Sequence, residues 1–321
     1  MSVFAAIALA PLASAAIAAV PAPSEAVEVD YLYSLSNTFG SIPLAGAFLS
    51  YDRDFRELFA IGDGFVRVFN ESGMEVFAFG EDPEVGTVRG VGTLDSGDLV
   101  VQAIREGGVQ LVRCNFRGEF LEVIEPRGVP AGFERALLGR MRYQGGKIYL
   151  ADLGGMRILV LDAKGEVLAS HDVAEKLQMV KERESLGLRG FNVDREGNLL
   201  FTIQPLFRGY VMSPAGEIQE FGQKGSAPGK FNIVGGIARD DAGNLYVADI
   251  LKSAILVFDR EYRFVREFGY RGMKPQNLAA PEELEATGDG RLFVSQNTRR
   301  GVSVFQVSMR GGGAGEGSSS Q

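Results

Sequence analysis

The sequence predicts an all-β protein built from one supersecondary unit that is repeated along the chain. Glycine is abundant, with 42 residues against 12 prolines, and 45% of the 321 residues are hydrophobic. Many glycines between short apolar runs are typical of strands joined by tight turns. The stretch GGIARDDAGNLYVADILKSAILVFDREYRFVREFG, from Gly235 to Gly269, contains four such runs separated by three turns. Each unit is therefore predicted to contain four short strands.

The same pattern recurs at a spacing of about 45 residues, which is typical of β-propeller blades. Five further segments align with the first, and they are Ala47–Gly80, Gly90–Ile124, Gly139–Asp172, Gly190–Gly222 and Leu284–Val307. The last copy lacks its outermost strand, whereas Val29–Gly40 resembles an outermost strand without inner partners. We predict that Val29–Leu35 pairs with Gly301–Val307 and closes the ring, because an unpaired strand would leave an open edge.

The fifth copy carries motifs that resemble the NHL repeat family. It has the lead-in FGQKGSAPGKF, followed by GGIARD, GNLYVAD and ILVFD. Copy three retains KIYLAD and RILVLD, and copy four retains the D-x-x-G-N-L core, with Thr202 and Ile203 where the motif has Ala-Asp. Copies one, two and six match less closely. The resemblance covers about residues 29–307 and implies a six-bladed β-propeller of four-stranded antiparallel blades.

Alignment of the copies separates core positions from surface positions. One position near the end of the third run is apolar in every copy, and it is occupied by Phe69, Cys114, Leu161, Met212, Phe258 and Phe305. We expect these side chains to pack between blades. Cys114 is the single cysteine of the chain, so no disulfide can form within it. A redox role for this thiol is the alternative to a packing role.

Both ends of the chain differ in composition from the repeats. Residues 1–26 are alanine-rich, apolar and uncharged until Glu25, which predicts a signal peptide or apolar export segment. A membrane anchor is the alternative, although Pro11 disfavours a spanning helix. Residues 27–308 are expected to form a single propeller domain, and the Gly/Ser-rich residues 309–321 a disordered tail. This interpretation predicts an exported protein, either periplasmic or extracellular.

A charged segment between copies three and four interrupts the repeat. Its apolar residues Val173, Leu177 and Val180 have helical spacing, which predicts a short helical insert at about residues 173–186. Such a helix could pack on the propeller edge as a lid, or it could dock a partner.

Polar side chains should converge at one mouth of the propeller channel, where loops enter the innermost strands and join the middle two. The predicted rim contains Arg89, Arg140, Arg142, Asp152, Arg189, Asp249, Glu282, Glu285 and Gln296. Arg89 and Arg189 come from alternate blades and could bind a carboxylate or phosphate, because a guanidinium presents a planar fork of donors. The alternative is that the arginines pair with neighbouring carboxylates in a solvated network. At Asp152 and Asp249 the family motif implies an aspartate that binds loop amides.

Charge and composition argue against several classes of function. The chain has 33 basic and 41 acidic residues, a net charge of −8, and no basic block, which argues against a nucleic-acid surface. His171 is the single histidine and falls in an outer strand, so a three-histidine metal site cannot form. Neither a phosphate-binding loop nor a nucleophile elbow occurs in the sequence. We therefore expect no catalytic residue, no metal and no cofactor.

Three hypotheses for the function remain, in order of preference. The first is a non-catalytic exported propeller that serves as a protein-binding scaffold or accessory of an envelope or extracellular assembly. The second is a binder of small molecules or peptides at the channel mouth. The third is a calcium-dependent, lactonase-like hydrolase, and its candidate ligands are Glu282, Glu283, Glu285, Asp152 and Asp249.

The first hypothesis also defines the expected partner. We expect another exported protein, no nucleic acid, and no stable membrane insertion once the N-terminal segment is cleaved. We expect the isolated chain to be a monomer.

Overall fold

Six four-stranded antiparallel sheets make up the computed structural model of the chain, and they are arranged as the six blades of a β-propeller. The structure describes residues 27–36, 44–80, 82–298 and 300–309. The predicted export segment at residues 1–26 and the tail from residue 310 onward lie outside the described residues. The all-β, six-bladed fold predicted from the sequence is confirmed.

In blades 1 to 5 the four strands follow one another from the innermost to the outermost, and innermost strands of neighbouring blades contact each other around the channel. Blade 1 contains β2 (Phe48–Asp52), β3 (Glu57–Gly62), β4 (Phe65–Phe69) and β5 (Glu75–Phe79). Blade 2 contains β6 (Thr87–Thr93), β7 (Leu99–Arg105), β8 (Gly108–Cys114) and β9 (Phe120–Ile124). Blade 3 contains β10 (Arg140–Gln144), β11 (Lys147–Asp152), β12 (Arg157–Asp162) and β13 (Val167–Asp172).

The remaining blades have the same order, and blade 6 takes its outermost strand from the beginning of the described chain. Blade 4 contains β14 (Phe191–Val193), β15 (Leu199–Ile203), β16 (Arg208–Met212) and β17 (Ile218–Phe221), with a 3₁₀ turn at Gln204–Leu206. Blade 5 contains β18 (Val234–Arg239), β19 (Leu245–Asp249), β20 (Ala254–Phe258) and β21 (Phe264–Gly269). Blade 6 contains β22 (Pro281–Ala286), β23 (Arg291–Gln296), β24 (Val302–Met309) and β1 (Val27–Ser34).

The ring is closed by antiparallel pairing of β1 with β24. Val29 lies opposite Val307, and the Leu35 amide donates to the Val302 carbonyl at 2.9 Å. The predicted pairing of the first strand with the last is therefore confirmed, and β24 extends one residue past the predicted domain end, to Met309. Because the two ends of the described chain share one sheet, blade 6 cannot open without breaking this ladder.

The core lies between the blades, as the repeat alignment predicts. All six residues at the shared third-strand position are buried, from Phe69 of blade 1 to Phe305 of blade 6. Cys114 packs in an apolar cluster formed by blades 1 and 2. Burial, together with the nearby Asp82 carboxylate, raises the pKa of its thiol to about 12. A thiol that stays protonated is a poor nucleophile, so the packing role predicted for Cys114 fits its environment.

The charged insert differs from the single helix that its spacing predicts. It contains two short helices, α1 (Val173–Lys176) and α2 (Arg183–Leu186). The chain leaves the helical conformation at Gln178, whose φ is +58°. Asp172 accepts a hydrogen bond from the Glu175 amide at the start of α1 and also binds Arg183 at 2.7 Å. This shared carboxylate links the start of the second helix to the start of the first.

None of the helices among the described residues is long and apolar enough to span a membrane.

Candidate functional site

The propeller has two channel mouths, and the loops of the repeat divide between them. The upper face carries the loops that enter the innermost strands and those that join the second and third strands of each blade. The lower face carries the hairpin turns that join the first strand to the second and the third to the fourth. The predicted rim residues belong to the upper face or to the innermost strands below it.

Four charged side chains fill the centre of the channel, and we call Arg140, Arg142, Glu283 and Glu285 the central plug. Arg140 and Arg142 lie on β10 of blade 3, and the two glutamates lie on β22 of blade 6 across the ring. Both arginines reach the Glu283 carboxylate at 3.0 Å, one on each oxygen. The second nitrogen of Arg142 lies 3.9 Å from Glu285. These side chains are buried or nearly so, and Arg140, Arg142 and Glu285, which were predicted at the channel-mouth rim, lie inside the channel.

Arg142 connects four of the six blades. Its Nη1 donates to the Leu49 carbonyl of blade 1 at 2.6 Å, and its Nε donates to the Phe191 carbonyl of blade 4 at 3.1 Å. Its Nη2 donates to Glu283 of blade 6. The guanidinium of Arg140 lies over the Phe48 ring, 4.0 Å from its centroid. A planar guanidinium with five donors suits this role, because it can satisfy acceptors from several directions at once.

Burial affects the charges of the central plug. Loss of solvent raises the pKa of the Glu285 carboxyl, and the Arg142 and Arg53 guanidinium groups oppose that rise. Buried ion pairs of this kind contribute little net stability, but removing one partner leaves an uncompensated charge in the interior. The plug is therefore a structural element whose charges depend on one another.

Three predicted rim residues anchor the upper loops. Asp152 accepts hydrogen bonds from the amides of Leu137 at 3.1 Å and Gly155 at 2.8 Å. Asp249 accepts from the Asn232 amide at 2.6 Å and from the Lys252 amide at 2.9 Å. These are the loop-amide contacts that the family motif implies for an aspartate at these positions.

Gln296 has the equivalent role in blade 6. Its Oε1 accepts from the Ala279 amide at 2.7 Å, and its Nε2 donates to Ser303 at 2.8 Å. Because the polar atoms of all three side chains are engaged by the chain itself, none is aimed at a ligand.

The two arginines predicted to act together have different environments. Arg189 forms an ion pair with Glu282 at the upper mouth, and its side chain remains partly exposed. Arg89 is exposed, and no carboxylate of the described residues lies within ion-pair distance of it. The pairing of Arg189 with Glu282 agrees with the alternative of an internal charge network. Arg89 alone keeps a free guanidinium on this rim, judged by the residues that the structure describes.

The carboxylates considered for calcium are already engaged. Glu282 pairs with Arg189, Glu283 and Glu285 face the plug arginines, and Asp152 and Asp249 hold loop amides. Within the described ranges, no group of three or more histidine, cysteine, aspartate or glutamate side chains is placed to hold a metal ion.

The single histidine lies far from the channel. His171 is on β13, the outermost strand of blade 3, and its side chain is buried. Burial lowers the pKa of the imidazole, and the nearby Lys176 ammonium lowers it further. A neutral, buried imidazole on an outer strand has a packing role.

A funnel at the lower channel mouth was not predicted. Its volume is about 610 Å³, and hairpin turns from all six blades line it. Asp241 binds Arg195 at 3.1 Å and lies 3.7 Å from Arg53. Tyr143 lies on the wall, and burial with the carboxylates of Asp95, Asp52 and Asp54 raises its pKa to about 12.

Gly92 allows the tyrosine to lie in the funnel wall. A Cβ at this position would stand 2.2 Å from the Cβ of Tyr143. The sequence signal for the funnel is the aspartate in the first hairpin turn of several blades, which by itself indicates only a turn.

A second unpredicted feature is a largely apolar groove between blades 1 and 2 at the lower face, which we call the outer groove; Glu57 and Arg117 are its charged lining residues. Its volume is about 300 Å³. The aromatic side chains that line it are Phe55, Phe59, Phe77, Phe79 and Phe116. Phe55 is 62% exposed, Phe116 is 66% exposed and Phe77 is 41% exposed. Aromatic side chains exposed together in one concave surface are typical of interaction sites rather than of ordinary surface.

Comparisons with known proteins support the fold and leave the family open. No protein-family model matches the chain. No curated protein sequence matches it either. Among solved structures, a protein of unknown function from Bacteroides thetaiotaomicron is similar, with a TM-score of 0.57 and 14% identity over 88% of this chain and 76% of the other.

Two enzyme structures are similar to the same degree. A luciferin-regenerating enzyme has a TM-score of 0.56 and 13% identity, over 89% of this chain and 96% of the other. A catalytically inactive histidine-to-alanine variant of virginiamycin B lyase from Staphylococcus aureus, solved with quinupristin, has a TM-score of 0.54 and 11% identity, over 87% of this chain and 99% of the other. At such low identity these likenesses establish the β-propeller architecture alone.

Proposed function

We propose that this chain is a non-catalytic, exported propeller of the NHL-repeat type that binds another protein as a scaffold or accessory of an envelope or extracellular assembly. The observation that carries the proposal is the outer groove, where Phe55, Phe77 and Phe116 are exposed together. Exposed aromatic side chains supply large contact areas at low entropic cost, which is why they dominate protein interfaces.

The environment of the polar groups supports a role without catalysis. The similar lyase structure is a catalytically inactive variant in which a histidine is replaced by alanine. The one histidine of this chain is buried on an outermost strand. The upper-mouth carboxylates are held by arginines or loop amides, so they are not free to act as acids, bases or nucleophiles.

Capture of a partner from the native cell envelope tests this proposal with three forms of the full chain. The baits are the wild type, a groove variant (Phe77→Ser with Phe116→Ser) and a rim variant (Arg89→Ala with Arg189→Ala). A defined protein that binds the wild type and the rim variant, but not the groove variant, would support the scaffold and its docking surface. A protein lost only with the rim variant would move the interface to the upper mouth. Absence of any specific protein would contradict the scaffold function.

The lower funnel favours a second candidate, a binder of small organic cations. Asp54, Asp95 and Asp52 surround Tyr143 in a cavity of about 610 Å³, and carboxylates beside an aromatic ring suit an amine. Spermidine is a suitable probe, and it should raise the Tm of the wild type more than that of Asp95→Asn. Asp63→Asn, an exposed turn position on the upper face, is the matched control. Equal shifts in all three proteins would contradict this candidate.

A further inference from the structure

The strand that borders the outer groove differs from the other outermost strands. Each outermost strand is paired with a strand of its own sheet on one side only, and an edge that no loop covers presents backbone donors and acceptors. The exposed run of β5 is Val76, Phe77 and Ala78, which carries no charge. Glu75 is the one charged residue of β5, and Arg67 Nη1 lies 3.1 Å from both of its carboxylate oxygens. The open edge of blade 1 is therefore neutral and apolar.

Other outermost strands expose polar or charged side chains, or expose nothing. Three of them carry exposed carboxylates, which are Glu28 and Asp30 on β1, Glu122 on β9 and Glu220 on β17. β13 exposes Leu168 and Ser170, and no residue of β21 is fully exposed. Charged side chains on an edge prevent another strand from pairing with it. Only β5, among the outermost strands described, exposes apolar side chains alone.

The groove beside β5 also contains a cation without a described partner. Arg117 lines the groove, and its guanidinium carbon lies 5.3 Å from the centroid of the Phe116 ring. None of the ion pairs found among the described residues includes Arg117. An exposed arginine held over an aromatic ring is a ready partner for a carboxylate.

We propose that an extended segment of the partner protein adds to the open edge of β5, lays alternate apolar side chains into the outer groove and places a carboxylate on Arg117. This inference rests on the proposed function, because it states how the scaffold holds its partner. Strand addition would satisfy the open backbone groups of β5, and the period of two along a strand would direct every second side chain to the aromatic wall.

A segment of another protein fits this surface better than a second copy of the chain. Pairing of β5 with its own copy would bring Glu75 as the only carboxylate of the strand, and Arg67 already holds that group. The net charge of −8 also disfavours close approach of two copies. The carboxylate that binds Arg117 would therefore come from a different protein.

A short synthetic peptide tests the proposal directly on the full chain. The probe alternates valine and threonine and ends in aspartate; one control peptide ends in asparagine, and another has a central proline that cannot donate a ladder hydrogen bond. Binding of the probe should slow hydrogen exchange at the amides of residues 76–79 and leave those of β17 unchanged. The proline peptide should not bind.

Two variants separate the edge from the cation. Ala78→Lys places a charge on the open edge. It should weaken binding of the probe peptide roughly tenfold, since binding would bury an unpaired ammonium. Gln219→Lys makes the same change on β17, at an exposed position, and should have no effect. Arg117→Gln should weaken the aspartate peptide about two- to fivefold, the value of one exposed ion pair, and leave the asparagine peptide unchanged.

Several results would overturn the inference. Strand addition would be excluded if the probe did not slow hydrogen exchange at residues 76–79. It would also be excluded if wild type and Ala78→Lys bound the probe equally. Wild-type self-association that Ala78→Lys abolishes would make the occupant a second copy. A captured envelope partner that is lost with Phe77→Ser and Phe116→Ser but kept by Ala78→Lys would leave the scaffold function intact and contradict strand addition alone.

Discussion

The upper channel mouth and the outer groove differ in how their side chains are satisfied. At the upper mouth and in the plug beneath it, Arg142, Asp249 and Gln296 direct their polar atoms to other parts of the same chain. In the outer groove, Phe55 and Phe116 expose most of their surface, and Arg117 has no described ionic partner. Buried ion pairs and loop-amide contacts connect the blades at the channel, whereas exposed aromatic side chains define the surface that we propose for a partner.

A substitution in the central plug should give the largest loss of stability. Arg142→Met removes donors from Leu49, Phe191 and Glu283 and leaves a buried carboxylate with one arginine fewer. We expect a loss of about 3–5 kcal/mol in the free energy of unfolding, the usual cost of breaking a buried pair. Thermal or denaturant unfolding measures it. Glu283→Leu alone also takes the carboxylate away from Arg140, so the loss in the double variant Arg142→Met/Glu283→Leu should be smaller than the sum of the two single losses. Additive losses would show that the charges are not coupled.

The loop anchors should give a smaller effect. Asp249→Ala leaves the amides of Asn232 and Lys252 without their acceptor. We expect a decrease of about 1–3 kcal/mol in the free energy of unfolding, because buried donors lose their partner. Denaturant unfolding checks this value, with Glu196→Ala on an exposed turn as the control. A stability equal to wild type would mean that water replaces the carboxylate at the upper face.

His171 should make stability depend on pH in a defined direction. Its pKa in the folded protein is lowered from the ordinary 6.5, so below pH 6.5 the unfolded chain binds a proton that the folded chain does not. The contribution of His171 is therefore complete above that pH and is lost as the pH falls below it. Comparison of the Tm of wild type and His171→Gln on either side of pH 6.5 isolates it. Parallel pH profiles would show that the imidazole protonates equally in both states.

The groove should be the region where stability is least affected. Phe116→Ser removes a ring that is 66% exposed, and we expect a change within about 0.5 kcal/mol, as for surface substitutions generally. Denaturant unfolding of the variant, with retained propeller structure by circular dichroism, checks this. A large loss of stability would place Phe116 in the core and remove the basis for a free docking surface.

Much of the fold could be predicted because the same pattern of strands and turns occurs in six copies along the chain. Gly-Asn-Leu at Gly243–Leu245 indicates a turn followed by a strand, and the incomplete last copy indicates that Val29–Leu35 must complete it. Core positions such as Cys114 follow from alignment of the copies, since equivalent residues meet equivalent neighbours. The insert was less predictable, because its helical spacing continues through Gln178, where the backbone turns away.

The candidate sites were harder to predict, for reasons of geometry. Asp152 and Asp249 could be placed at loop ends from their position in the repeat. The pairing of Arg142 with Glu283 joins residues separated by 141 positions, and only closure of the ring brings them together. Phe77 and Phe116 lie in different repeats, where each is an unremarkable strand or turn residue. Their joint exposure depends on how blades 1 and 2 lie side by side.

The most direct test of the account is the dissociation constant of the captured envelope protein for three forms of the full chain. The wild type, the Phe77→Ser/Phe116→Ser variant and the Arg89→Ala/Arg189→Ala variant are compared at one salt concentration. The account predicts that the groove substitutions weaken binding by roughly tenfold or more, as for interface aromatic anchors, while the rim substitutions leave it unchanged. Weakened binding by the rim substitutions, with full affinity in the groove variant, would contradict it.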